Sequence, residues 1–156
     1  MISIDIPGCG NIEIENLVLD LNGTIATDGE VSPEVKEKID ALSKEVKIYV
    51  LTADTQRTAQ EEIEDMNVKL FKIEEGDSKK GKFEFIKGLD LERTVAIGNG
   101  NNDQLILKEA ALGIAVLGEE GMSVSSMKHA DIVVKNICDA LDLFLKPKRL
   151  IATLRE

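Results

Sequence analysis

Three short apolar runs in this chain each end in a polar residue, and the stretches between them carry helical spacing. Leu17-Val18-Leu19 runs into Asp20, Tyr49-Val50-Leu51 into Thr52, and Val95-Ala96-Ile97 into Gly98-Asn99-Gly100-Asn101-Asn102-Asp103. A continuous apolar run of strand length fits a strand buried on both faces. Regular alternation of such strands with helices requires right-handed crossovers and a parallel sheet covered by helices. The fold class is therefore α/β, a doubly wound Rossmann-like sheet with helices on both faces. In such sheets ligands bind beyond the carboxyl ends of the strands, which is where all three polar ends fall.

The remaining elements follow the same two periods. Ile2, Ile4 and Ile6 alternate with polar residues, Pro7 to Asn11 supply turn chemistry, and Ile12 and Ile14 resume the alternation, so residues 2 to 15 form a hairpin. That hairpin reads equally as a self-association surface and as an extension of the sheet edge. Ser32-Pro33-Glu34 opens a helix whose Val35, Ile39 and Leu42 repeat at helical spacing. Strands then fall at Val46 to Leu51, Val68 to Ile73, Thr94 to Ile97, Ile114 to Leu117 and Ile132 to Val134. Helices fall near Thr55 to Met66, Lys79 to Lys87, Asp103 to Ala111 and Met122, with one closing helix from about Ile137. No repeat or linker interrupts this, so residues 1–156 read as a single domain.

Composition narrows the partners. The 29 acidic and 19 basic side chains leave a net charge of -10, which repels nucleic acid and anionic lipid. No apolar stretch has signal-peptide or membrane-spanning character, and a cytoplasmic location is expected. Cys9 and Cys138 lie outside any metal-type spacing and read as ordinary buried thiols. The glycosylation triplet Asn22-Gly23-Thr24 needs a secreted chain and is set aside.

Asp20 alone is as readily a turn or capping residue as a functional one. With Asn22-Gly23-Thr24 behind it, a sharp turn at Gly23 can aim backbone amides at an anion held against the carboxylate. A carboxylate serves as covalent nucleophile for phosphoryl transfer when a divalent ion relieves the repulsion between the two anions. Thr52 offers one hydroxyl to a phosphate oxygen; it could instead cap a helix, as could Asp54. Lys79, Lys80 and Lys82 are the candidates for the positive charge the site needs. The 98–103 loop carries the oxygen donors that magnesium prefers, or is a plain turn.

Together these segments resemble the haloacid dehalogenase-like (HAD) superfamily, and within it the phosphorylation domain of P-type ATPases more than the small-molecule phosphatases. Asp20-Leu21-Asn22-Gly23-Thr24 resembles the phosphorylation motif Asp-Lys-Thr-Gly-Thr. Leu51-Thr52-Ala53-Asp54 with Thr58-Ala59 is similar to the family's Leu-Thr-Gly-Asp segment, and Gly98 to Asp103 to Gly-Asp-Gly-x-Asn-Asp. Gly113-Ile114-Ala115-Val116 and Ala130-Asp131-Ile132-Val133 resemble the segment that follows.

The resemblance implies a capless HAD-like fold and a magnesium-dependent phosphatase or phosphotransferase acting on a phosphorylated small molecule or phosphoprotein. Asp20 would be the nucleophile, Thr52 a phosphate ligand, and Asp103 the support of the lysine and the metal site. Family spacing to Ile86 and Leu89 selects Lys82, with Lys80 as fallback. Magnesium would be held by Asp20, by the backbone carbonyl of Asn22 and by Asn99. Two departures stand out. Asn22 occupies the position of the phosphatases' acid–base aspartate, and Asn99 that of a metal-binding aspartate, which together imply slow turnover or a phosphate-binding regulatory module. A soluble ATPase is a further reading, without a visible nucleotide site. The missing cap leaves room for a homo-oligomer to close the site.

Overall fold

The alternating isoleucines form strand β1 (Ile2–Ile6), which pairs antiparallel with β2 (Gly10–Ile14) in a two-stranded sheet of its own. Ile4, Ile6 and Ile14 are buried, while Ser3, Asp5 and Asn11 face outward. Burial of an isoleucine is worth about 1.5–3 kcal/mol, so the hairpin is fixed to the body by its apolar face. It does not extend the edge of the main sheet, which corrects that reading, and Cys9 is exposed rather than buried because it sits in the turn between the two strands.

The structure, a computed structural model, describes residues 1–53 and 57–156, without the side chains of residues 57–59. Asp54 and the side chains of Thr58 and Ala59 lie outside the described residues. The main sheet contains β3 (Asn16–Asp20), β4 (Lys47–Thr52), β5 (Lys69–Lys72), β6 (Thr94–Gly98), β7 (Leu112–Val116) and β8 (Ile132–Val134). All neighbours are parallel, in the order β5-β4-β3-β6-β7-β8. The doubly wound α/β class read from the sequence is the fold observed.

The chain steps outward from β3 to β5, then returns to the other side of β3 as β6. That reversal opens a crevice beyond the carboxyl ends of β3 and β6. Asp20 ends one strand and Gly98 ends its neighbour, with Leu19 paired to Ile97 in register.

Helix α1 (Pro33–Ser43) starts where Ser32 caps it, its side chain accepting from the Val35 amide. Next come α2 (Arg57–Ile63), which ends short of the expected Met66, α3 (Ser78–Lys87) and α4 (Gln104–Glu109). α5 (Val124–His129) begins two residues after Met122. The closing helix is two helices, α6 (Ile137–Leu145) and α7 (Pro147–Leu154). The break follows from Pro147, which disfavours helical backbone at Lys146; Lys146 has φ -129 and ψ 69.

One apolar cluster joins α1, α6, the hairpin and one face of the sheet; a second joins α3 and α4 to the other face. Asp142 on α6 ties the first layer together. It accepts from Lys38 of α1 at 2.8 Å, from Lys146 at 2.8 Å and from Arg149 of α7 at 3.1 Å. Among the described residues, no helix is long and apolar enough to cross a membrane.

The Lys146 hydrogen bond, then that from Lys38, holds the Asp142 carboxyl below its ordinary value of 3.8. A depressed carboxyl contributes stability that is present above the unfolded pKa and lost as pH falls through the folded one. Asp142→Asn is therefore expected to lower the melting temperature by a few degrees at pH 7, measured by circular dichroism. The gap to wild type should close below about pH 4; a gap that persists in acid would assign the loss to packing instead.

Candidate active site

The geometry starts from a lysine placed on the apolar face of a helix. Lys82 and Ile86 stand four residues apart on α3, so they share one face, and both are fully buried. Ile86 and Leu89 belong to the second apolar cluster. Since β5 leads into α3, the first turns of the helix lie at the carboxyl edge of the sheet. There the Lys82 ammonium donates to Asp20 Oδ1 at 2.6 Å and to Asp103 Oδ1 at 2.8 Å, and approaches Asn102 Oδ1 at 3.3 Å. Lys79 and Lys80 are exposed, and Lys80 donates its backbone amide to Asp77. Of the three candidate lysines, Lys82 is the one bonded to Asp20.

Asp103 has no exposed surface. Its second oxygen accepts from the amides of Asn99 and Gly100, each at 3.0 Å. Its carboxylate therefore closes the loop and holds Lys82, and it does not line the cavity. Gly98 permits this approach, since a Cβ there would lie 2.4 Å from Asp103 Cγ.

The cavity itself measures about 400 Å³ and is lined by Asp20, Asn22, Thr52, Asn99, Asn101 and Asn102, together with Ala53 and Gly100. Sequence reasoning thus names Asp20, Asn22, Thr52 and Asn99 among residues that the fold brings to one cavity. Lys82 and Asp103 lie beneath it.

Several participants were not singled out by the sequence. Thr24 Oγ1 lies 3.2 Å from both Asp20 Oδ2 and Asn99 Oδ1, and its one proton is shared between them. Asn99 Nδ2 donates to the Gly121 carbonyl at 3.1 Å. Gly23, at φ +77, presses against this amide, and a Cβ there would sit 2.5 Å from Nδ2. Ser123 donates from its amide to Asn99 O at 2.7 Å and from its hydroxyl to Asn101 Oδ1. The fully buried Ser126 donates to Gly100 O. Thr24 closes the Asp20 motif and was findable there; the two serines carry no local signal and reach the loop only through α5.

Burial raises the Asp20 carboxyl to about 7, helped by the charge of Asp103 and opposed by Lys82 and Thr24. Burial alone would lower the Lys82 ammonium, but the two carboxylates outweigh it and hold it above the ordinary lysine value. The cluster thus has two carboxylates against one ammonium.

The same deficit tests the fit of a divalent cation. Among the described residues no group of three His, Cys, Asp or Glu side chains is placed to hold a metal. Asp20, the Asn22 carbonyl and the remaining lone pair of Asn99 Oδ1 are hard oxygen donors. They fit a magnesium ion that keeps several waters and takes few protein ligands; they do not fit an all-protein cage.

No family model matches the chain. It is 48% identical over 85 residues to the uncharacterized protein MJ0073 of Methanocaldococcus jannaschii, spanning 52% of this chain and 91% of that protein. It is 54% identical over 39 residues to MJ0072 of the same organism, spanning 25% of this chain and 89% of that protein. The chain belongs to the family of these proteins. Its fold is similar to an HAD superfamily (subfamily III A) hydrolase from Legionella pneumophila, with TM-score 0.73 and 15% identity over 91% of this chain and 87% of that one. It is similar also to the cobalt-bound deoxy-D-mannose-octulosonate 8-phosphate phosphatase of Haemophilus influenzae, with TM-score 0.72 and 16% identity over 92% and 94%. A third likeness is the corresponding phosphatase of Moraxella catarrhalis in complex with magnesium, phosphate and KDO, with TM-score 0.71 and 15% identity over 91% and 94%. The fold is HAD-like.

Removing one member of a buried ion pair strands the other charge, at a cost of about 3–5 kcal/mol. Lys82→Ala, which leaves Asp20 and Asp103 facing each other, is expected to lose that much in urea denaturation. Lys80→Ala on the surface should stay within about 0.5 kcal/mol of wild type. Equal effects would remove Lys82 from the centre of the site.

Proposed function

We propose that this protein is a magnesium-dependent phosphatase or phosphotransferase that works through an aspartyl-phosphate on Asp20. The observation that carries the reading is the buried Asp20–Lys82–Asp103 arrangement under a cavity at the reversal point of the sheet. The HAD-like fold supports it, as do the phosphatases and their divalent metals among structures of that fold.

On this reading Asp20 attacks phosphorus, and the leaving oxygen departs on the opposite side. Lys82, held in place by Asp103, pairs with the Asp20 carboxylate from beneath and keeps it aimed into the cavity. The Thr52 hydroxyl orients a phosphate oxygen, and Thr24 fixes the Asp20 carboxylate. Asp20, the Asn22 carbonyl and Asn99 would hold the cation, which would supply positive charge to keep Asp20 ionised and to screen it from the incoming phosphate. Water then cleaves the phosphoenzyme slowly, because the Asn22 amide neither gives nor takes a proton. The affinity to P-type ATPases rests on the motif segments alone.

Asn22 and Asn99 support a second reading, a module that holds phosphate without turning it over, since both replace charged groups by amides. Magnesium-dependent turnover of an aryl phosphate separates the two. Wild type is expected to turn over and to form an acid-stable, hydroxylamine-sensitive phosphoenzyme, and Asp20→Asn to lose both. Turnover that survives Asp20→Asn would end the aspartyl-phosphate mechanism. Absence of turnover in wild type, with a trigonal fluoride mimic still bound, would favour the module.

A further inference from the structure

The leaving group that this site accepts follows from what lines it, given the reading that Asp20 is the nucleophile. Among the described residues of the cavity wall, Asp20 is the one titratable group; Asn22, Thr52, Asn99, Asn101 and Asn102 present amides and a hydroxyl. Lys82 has no exposed surface and its ammonium is spent on two carboxylates. Asp103 is equally enclosed, its oxygens taken by Lys82 and two loop amides. No side chain in this set delivers a proton to an oxygen leaving across the cavity.

A departing alkoxide is about as basic as hydroxide, the conjugate base of water with pKa about 15.7, and leaves readily only when protonated. A departing carboxylate has a conjugate acid near pKa ~4 and needs no proton. A nucleoside diphosphate would also leave unprotonated, but the described cavity wall offers no aromatic or large apolar side chain on which its base could rest. We infer that the site takes acyl phosphates, small mixed anhydrides of a carboxylic acid and phosphate, and discriminates against alkyl phosphate esters.

The step balances without an acid. An Asp20 oxygen forms a bond to phosphorus as the bond from phosphorus to the acyl oxygen breaks, and the electron pair leaves with the carboxylate. Water then attacks phosphorus, the bond to Asp20 breaks with its pair returning to the carboxylate, and the proton of water ends on the phosphate product. Only this second step lacks a base, so the phosphoenzyme accumulates and product appears in a burst.

The test compares acetyl phosphate with glycerol phosphate at saturating magnesium, in wild type and Asn22→Asp, with Asp20→Asn as the blank for spontaneous hydrolysis. Wild type is expected to be phosphorylated rapidly by acetyl phosphate and barely by glycerol phosphate. Asn22→Asp should raise phosphorylation by glycerol phosphate by roughly 10²- to 10⁴-fold, the value of general acid help. The ratio of glycerol phosphate to acetyl phosphate phosphorylation should rise by a similar factor, while the phosphoenzyme lifetime shortens. Wild type using both donors alike, or a variant that gains equally on both, would overturn the inference and leave the Asp20 mechanism standing. No phosphoenzyme from either donor would overturn that mechanism and the inference together.

Discussion

The site depends on one lysine having nowhere else to put its charge. Lys82 is carried into the interior by the face it shares with Ile86, and burial of an unpaired ammonium is prohibitively costly. Asp20 and Asp103 meet it at 2.6 and 2.8 Å. Pairing offsets the desolvation of all three only because each is further bonded: Asp103 to two loop amides, Asp20 to Thr24. Such clusters contribute little net stability but hold a strict geometry, since losing any member strands the others.

The neutral residues around this cluster have structural work as well as chemical consequence. Asn99 stands where the motif that this loop resembles has a carboxylate, and its amide joins two other loops: Thr24 and Gly23 of the turn after β3 on one side, and Gly121 on the other. A carboxylate could accept from Thr24 but could not donate to the Gly121 carbonyl. The change from acid to amide thus exchanges a charged donor oxygen for a bond that joins the 98–103 loop to the segment leading into α5. Ser123 and Ser126 reinforce the same junction. The lower charge of the cavity and the rigidity of its wall have one origin.

Asp20, Thr52 and the 98–103 loop were legible in the sequence because each directly follows an apolar run, and a parallel sheet brings such ends to one edge whatever the order of its strands. Residue type and helical period left Lys79, Lys80 and Lys82 open, and it was the spacing to Ile86 and Leu89 implied by the family resemblance that singled out Lys82. The hairpin's alternation was equally plain, but alternation says only that one face is buried and not against what; the partner proved to be the body of the same chain. The single closing helix was a misreading of continuous apolar spacing across Pro147.

The sequence by itself determined the α/β class, the strand ends that carry polar groups, and the presence of amides at Asn22 and Asn99 among them. These are local matters of period and residue identity. Tertiary structure decided that β6 lies beside β3, that Asp103 faces inward to Lys82 rather than into the cavity, and that Thr24, Gly121, Ser123 and Ser126 converge on one loop. Those contacts join residues from Thr24 to Ser126, and no local period encodes which distant hydroxyl meets which carbonyl. Packing of α5 and α3 on the sheet fixes that choice, because each buried polar atom must find its partner there or go without.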